Sequence, residues 1–98
     1  MPVRKFLAFP LLALALGSAA ADDGRTRFLA ANCAYCHGPD GHSHGAIPSL
    51  AGLDAGYFIA QMQAFRSGAR AATVMQTHAL GYNDGEIAAL AQWFESHR

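Results

Sequence analysis

Apolar side chains recur with helical spacing near the end of the chain. The four that define the pattern stand at positions i, i+3, i+4 and i+7 and are Ile87, Leu90, Ala91 and Phe94. Asn83 and Glu86 precede them at the spacing of a capping box, in which two side chains bond the free backbone amides of a helix start. The pattern therefore predicts a closing helix that begins after Asn83 and buries one face.

Two earlier helices are predicted by the same kind of signal. A middle helix is expected over residues 55–67, with Asp54 as its N-cap and Gly68 near its end. Its inner face carries Phe58, Met62 and Phe65. A first helix is expected over about residues 26–36, with Phe28 as the side chain that packs against the closing helix.

The rest of the chain after residue 21 has the character of loops. Pro39, Asp40 and Gly41 are turn formers in a stretch without periodicity, so residues 38–47 are expected to form a loop. No strand-like alternation, internal repeat or second domain is visible. The expected fold class is all-α, with a single domain over residues 22–98.

The first 21 residues have the pattern of an export signal. Basic Arg4 and Lys5 are followed by an eleven-residue apolar stretch and then by small residues that end at Ala21. An uncleaved anchor is the alternative, but a membrane-spanning helix needs about 20 apolar residues. We expect cleavage after Ala21, a mature chain in the periplasm, and no stable membrane span.

The five residues from Cys33 to His37 form the motif C-x-x-C-H close behind that signal. Two cysteines at i and i+3 near the end of a helix present both thiols on one face. There they can add to the two vinyl groups of one porphyrin, and the adjacent His37 is carried over the iron. The motif predicts one covalently bound haem c.

Two other readings of the cysteines compete with haem. A thioredoxin-like redox pair needs a strand leading into a helix, and no strand pattern precedes Cys33. A zinc site could be formed by Cys33, Cys36, His42 and His44, although His37 would then have no role. His42 and His44 are otherwise expected to be exposed loop residues, whose titration could tune a nearby haem.

A covalent haem would also make up for the small size of the mature chain. Chains below about 70 to 80 residues usually need a disulfide, a metal or another staple, and the mature chain has 77 residues. We therefore expect the haem-free polypeptide to be largely unfolded. The mature formal charge is −2 with five arginines and no lysine, which argues against nucleic acid as a partner and favours docking through an apolar or near-neutral patch.

The chain resembles the class I c-type cytochromes, small helical electron carriers. The resemblance covers the mature chain: C-x-x-C-H on the first helix, the stretch Pro48-Ser49-Leu50-Ala51-Gly52, an aromatic-rich middle helix, a methionine loop and a closing helix. Within this class it is similar to the single-haem subunit of flavocytochrome c sulfide dehydrogenase. The residues that carry this closer similarity are Ile47 to Gly52, Tyr57, Gln61, Met62, Phe65, Arg66, Ser67, Gly68 and Arg70. The resemblance implies three main helices wrapped around the haem.

The second axial ligand of the iron has to come from elsewhere in the chain. The candidates are Met62, Met75, His42, His44, His78 and His97. Met62 lies on an apolar helical stripe, which favours a packing role. The class places its axial methionine between the middle and closing helices, which implies that Met75 joins His37 as an iron ligand; His78 stays an alternative.

The resemblance also implies roles around the haem and a function. It implies that the Pro48 carbonyl accepts a hydrogen bond from His37, and that Tyr57, Arg66 and Arg70 contact the haem or its propionates. With both axial positions filled the protein would transfer single electrons and would not itself be an enzyme. It would do so as the subunit of a flavoprotein that oxidises sulfide. A free periplasmic carrier and, further off, a gas or ligand sensor are the alternatives.

Overall fold

Four α-helices form the part of the chain that the computed structural model describes, which is residues 18–98, with side chains from residue 24. They are α1 (Ser18–His37), α2 (Ala55–Ser67), α3 (Met75–Leu80) and α4 (Asp84–Ser96), with a short 3₁₀ turn at Pro39–Gly41. This part contains no strand, so the expected all-α class is confirmed. The predicted export signal and its cleavage site lie outside the residues whose side chains are described.

The ends of α2 and α4 follow the sequence signals closely. The Asp54 carboxylate accepts a hydrogen bond from the Tyr57 amide at 2.9 Å, and Gly68 ends α2 in the left-handed conformation at φ 81°. At α4 the Asn83 side chain accepts from the Glu86 amide at 2.8 Å, and the Glu86 carboxylate accepts from the Asn83 amide at 3.0 Å. The predicted capping box is therefore present, and both helices are confirmed.

The expectation of three main helices omitted α3. This helix has only six residues, and Val74 at its N-cap offers no side-chain hydrogen bond to its first turn. A helix of this length shows too few turns for an apolar period to be recognised. Met75 is consequently the first residue of a helix, whereas the sequence placed it in an irregular stretch.

Helix α4 lies at the centre of the packing, because α1 and α2 both contact it. The buried apolar residues come from all four helices and are Ala30, Ala55, Phe58, Met62, Ala79, Ile87, Leu90, Ala91 and Phe94. The rings of Phe58 and Phe94 lie 5.8 Å apart between their centroids and join α2 to α4. None of the described helices is both long and apolar enough to cross a bilayer.

The expected partner of α4 on α1, Phe28, was wrong. Its side chain is 76% exposed, whereas Ala30 is buried and Cys33 packs against the core. A helix turns about 100° per residue, so Phe28 lies on nearly the opposite side from Ala30. The buried face of α1 is instead marked by Ala30, Cys33 and His37 at i, i+3 and i+7.

Two arginines hold the outer side of α1 against α4. Arg25 donates to the Glu86 carboxylate at 2.9 Å, and the Arg27 guanidinium lies 5.8 Å from the centre of the Trp93 ring. These two contacts link α1 to α4 ahead of the C-terminal end of α1. That end carries the C-x-x-C-H motif.

Candidate functional site

A cavity of about 470 Å³ lies beside the C-terminal end of α1. Its walls come from α1, the loop after it, α2, α3 and the segment between α2 and α3. Most of the lining is apolar and includes Leu50, Leu53, Phe58, Met62, Phe65 and Met75. Its size lies within the range of about 300 to 1,000 Å³ that is usual for cofactor and ligand pockets.

The motif residues of α1 meet in this cavity. Cys33, Cys36 and His37 all line it, and the two thiols are free. Cys33 is half-buried and Cys36 is exposed. Helical spacing thus brings two thiols and an imidazole to one wall, as the motif predicted.

His37 is fixed by a short hydrogen bond to the loop that follows α1. Its side chain is 8% exposed, and its Nδ1 lies 2.6 Å from the Pro48 carbonyl oxygen. A carbonyl can only accept, so Nδ1 carries the hydrogen and donates it. In the neutral imidazole the lone pair is then on Nε2, the atom left free to bind a metal.

The chain reaches Pro48 through a turn that needs glycine. Gly38 has φ 90°, and a Cβ there would lie 1.9 Å from the His42 carbonyl oxygen. Gly41 is buried at φ 81°, and its carbonyl accepts hydrogen bonds from the Leu50 amide at 2.8 Å and the Ala51 amide at 3.2 Å. These bonds close the loop and bring Pro48 back to His37.

Three of the six candidates for the second iron ligand line the cavity, namely Met62, Met75 and His78. Met62 is also buried in the core of α2, 5% exposed, in agreement with a packing role. His42 and His44 are not on the cavity wall. His97 is the C-cap residue of α4, where its ring stacks on Trp93 at 3.7 Å between centroids and its Nδ1 bonds the Trp93 carbonyl.

The polar residues expected around the haem separate into two groups. Tyr57 and Arg70 line the cavity, and Arg70 bonds Gln61 and lies over the Phe65 ring. Arg66 is not on the cavity wall: its guanidinium donates to the Asp84 carboxylate and to the Tyr82 carbonyl, each within 2.7 Å. Its position does not support the expected contact with a propionate.

The two competing readings of the cysteines do not fit this geometry. Burial raises the pKa of the Cys33 thiol to about 11, whereas a redox-active cysteine pair needs a lowered pKa. Burial, and then the negative charge of a Cys33 thiolate, also raise the pKa of Tyr82. No group of three or more histidine, cysteine or carboxylate side chains in the described residues could hold a metal, so the zinc set is not assembled.

Several cavity residues were not singled out from the sequence. Leu53 and Tyr82 lie in connecting segments, and Asn32 lies on a helix whose inner face was misjudged. These residues line the cavity because elements distant in sequence pack together. The apolar period within one element cannot predict such packing. A correct choice of the α1 face, marked by Cys33 and His37, would have placed Asn32 beside the motif.

The sequence profile of the cytochrome c family matches residues 21–98, and the chain belongs to this family. The all-α fold, the C-x-x-C-H motif at the end of α1 and the cavity beside it are the features of a c-type cytochrome.

Individual relatives agree with this assignment. A 72-residue stretch is 40% identical to the cytochrome subunit of sulfide dehydrogenase from Chlorobaculum tepidum and covers 74% of this chain and 66% of that protein. The thiosulfate dehydrogenase electron acceptor of Stutzerimonas stutzeri is 46% identical over 65% of this chain and 31% of its own length. Cytochrome c4 of Azotobacter vinelandii is 35% identical over 89% of this chain and 44% of its own length. The chain thus spans less than two thirds of the length of these relatives.

The residues around the cavity suit the cofactor of the family, one covalent haem c. Two thiols at i and i+3 can form thioethers, and His37 has its Nε2 lone pair free because Nδ1 is bonded to Pro48. The apolar walls suit a porphyrin ring. The thiols, the imidazole and the apolar lining of the cavity thus all match a haem c.

Proposed function

We propose that the protein is a periplasmic electron carrier that passes single electrons through a haem c, as the haem subunit of a flavoprotein sulfide dehydrogenase. The observation that carries the electron-transfer role is the meeting of Cys33, Cys36, His37 and Met75 in one apolar cavity, with His37 oriented by Pro48. The expected export signal supports the compartment, and the mature domain is then residues 22–98.

Each site residue has a distinct part in holding the cofactor. The Cys33 and Cys36 thiols would hold the haem by adding across its two vinyl groups. Each addition would break one S–H bond and one C=C π bond and form one C–S bond and one C–H bond, with no external oxidant or reductant. His37 Nε2 and the Met75 thioether sulfur would bind the iron. Tyr57 and Arg70 would donate hydrogen bonds to the propionates.

The ligand set determines the kind of chemistry that haem c supplies, which is reversible one-electron transfer. A soft thioether favours ferrous iron and raises the reduction potential relative to a second imidazole. Iron bound by both His37 and Met75 would leave no open position for a substrate. The residues of this chain therefore hold the geometry constant, and sulfide oxidation belongs to the flavoprotein partner.

The choice of partner rests on sequence similarity. The relative from Chlorobaculum tepidum is named as a cytochrome subunit of sulfide dehydrogenase, and it is 40% identical to this chain. A free carrier is the second candidate, supported by the similarity to a protein named as the electron acceptor of thiosulfate dehydrogenase. The two candidates share the same haem site and differ in whether a flavoprotein is stably bound.

Gel filtration of the native periplasmic extract separates the two candidates. Haem and flavin absorbance are recorded across the same fractions. Co-elution of haem and flavin well above the monomer size, with reduction of the haem by added sulfide, is the expected result. Haem that elutes alone near monomer size would contradict the subunit role and favour the free carrier. A chain without covalent haem would overturn the electron-transfer role itself.

A further inference from the structure

Two sets of hydrogen bonds close the loop between α1 and α2. Near its base, the Leu50 and Ala51 amides donate to the Gly41 carbonyl. One step further out, the Ser43 amide donates to the Ser49 hydroxyl oxygen at 2.9 Å. Pro48, which accepts the hydrogen bond from His37, directly precedes Ser49. It therefore lies on the outer side of the Ser43–Ser49 hydrogen bond, towards the exposed tip of the loop.

The residues beside Pro48 determine how firmly it is held in place. It has no backbone N–H, so the proline itself can donate no hydrogen bond that would hold it in place. Its carbonyl is already used by His37 at 2.6 Å. We therefore look to the residues after Pro48 for what restrains this carbonyl. Directly after it, the Ser49 side chain is hydrogen-bonded across the loop to the Ser43 amide.

We propose that Ser49 is a positioning residue for the axial histidine, an inference that rests on the proposed electron-transfer function. Its hydroxyl ties residue 49 to the Ser43 amide across the loop. This link holds the Pro48 carbonyl at hydrogen-bonding distance from Nδ1 of His37. Ser49 also lines the cavity, and it acts on the imidazole through Pro48.

The consequence for the haem follows from the chemistry of imidazole. Donation of the Nδ1 hydrogen to a carbonyl increases the basicity of Nε2, and a more basic ligand stabilises ferric over ferrous iron. Loss of the link lets the Pro48 carbonyl move away from Nδ1, so the basicity of His37 falls. The reduction potential should then rise.

The loop provides its own matched control. Among the described residues, the Ser43 hydroxyl hydrogen-bonds the backbone of Gly45, accepting from its amide at 3.2 Å and donating to its carbonyl at 3.5 Å. The link to Ser49 uses the backbone amide of Ser43, which survives a Ser43→Ala change. Ser43→Ala thus alters the same loop without removing the link, whereas Ser49→Ala removes it.

The test uses the haem-loaded protein and two readouts. The first is the midpoint potential, and the second is the solvent exchange rate of the His37 Nδ1 proton, followed by NMR in the ferrous state. Ser49→Ala and Ser49→Val are expected to raise the potential and to speed exchange several-fold. Ser49→Thr keeps the hydroxyl on a side chain shaped like valine and is expected to match the wild type, as is Ser43→Ala.

Each outcome of this experiment decides the proposal. Unchanged potential and exchange in both Ser49→Ala and Ser49→Val would overturn it, and so would an equal shift in Ser43→Ala or in Ser49→Thr. If Ser49→Ala did not fold, Ser49→Thr and Ser49→Val would be compared with each other, because their side chains differ only in a hydroxyl in place of a methyl group. Wild-type protein without covalent haem or without a one-electron transition would contradict the proposed function, which is a separate result.

Discussion

At the scale of single residues, the site depends on a few atoms whose chemistry is local. Cys33, Cys36 and His37 are neighbours in sequence, so their meeting needs only a helix end and could be predicted from the motif. The bond from His37 to Pro48 joins residues eleven apart and was implied only by resemblance. The place of Arg66 could not be predicted, because its partners Asp84 and Tyr82 come from α4 and from the segment before it.

The assignment of Met75 as the axial ligand makes the sharpest prediction at this scale. Met75→Leu keeps much of the side-chain volume but removes the thioether sulfur, so it should lower the reduction potential and change the optical spectrum of the ferric protein. Met62→Leu is the matched control, since both methionines line the cavity. The potential and the ferric spectrum are measured for both variants. A large change in Met62→Leu with no change in Met75→Leu would contradict the assignment.

Gly38 makes a second residue-scale prediction. A side chain there is strained at φ 90° and meets the His42 carbonyl, so Gly38→Ala should destabilise the folded protein by about 1 to 3 kcal/mol or more. Gly45 lies in the same loop with nothing within 4 Å of an added Cβ, so Gly45→Ala should change stability little. Thermal unfolding of the two haem-loaded variants checks this, and equal transition temperatures would refute it.

At the scale of elements, α2 and α4, which begin with side-chain caps, were predictable, and the short α3 was not. Asp54 and Asn83 place the starts of α2 and α4, because their side chains satisfy free amides of the first turn. Helix α3 starts at Val74 without such a bond. The inner face of α1 was misjudged because large Phe28 was preferred to small Ala30, and packing on α4 selected the small residue.

Glu86 makes the start of α4 sensitive to pH. The backbone hydrogen bond to Asn83, and then the hydrogen bond and charge of Arg25, lower the pKa of its carboxyl below the ordinary 4.5. The unfolded chain therefore takes up this proton first, so the stabilisation is present above about pH 4.5 and is lost as the pH falls through the lower folded-state value. Glu86→Gln should reduce this acid dependence.

The measurement is the free energy of unfolding of the haem-loaded wild type and Glu86→Gln across the acidic range. The difference between the two proteins should be largest near neutral pH and shrink in acid. Glu95→Gln is a suitable control, since the Glu95 carboxylate also accepts a backbone hydrogen bond, from Ala55, but has no arginine partner among the described residues. A Glu86→Gln difference that is constant over the whole range would contradict this account.

At the scale of the whole molecule, the described helices form a small core on one side of a cavity. Several of the buried residues are alanines, and the large ones are few: Phe58, Met62, Ile87, Leu90 and Phe94. Tyr57 and Phe65 of α2, with Leu50 and Leu53 before it, line the cavity. The length of the mature chain predicts that folding depends on a cofactor. The choice of the residues that fill the core depends on how α4 packs against α1 and α2.

The haem-free polypeptide should therefore not fold cooperatively. Cys33→Ala with Cys36→Ala removes both thioethers and, with them, the covalent hold on the haem. Circular dichroism of this double variant during heating is expected to show low helix content and no sharp transition, while the haem-loaded wild type unfolds cooperatively. A cooperative transition in haem-free double variant would show that the protein core suffices, contrary to this expectation.

We propose that Cys33 and Cys36 hold one covalent haem, with which the chain carries single electrons. An optical redox titration of the purified mature protein tests this proposal. We expect a haem that stays attached in denaturant, a single transition with a slope of about 59 mV per tenfold change in the ratio of the two forms, and a spectrum unchanged by added exogenous ligands. A haem lost on denaturation, or an iron that readily binds such ligands, would contradict it.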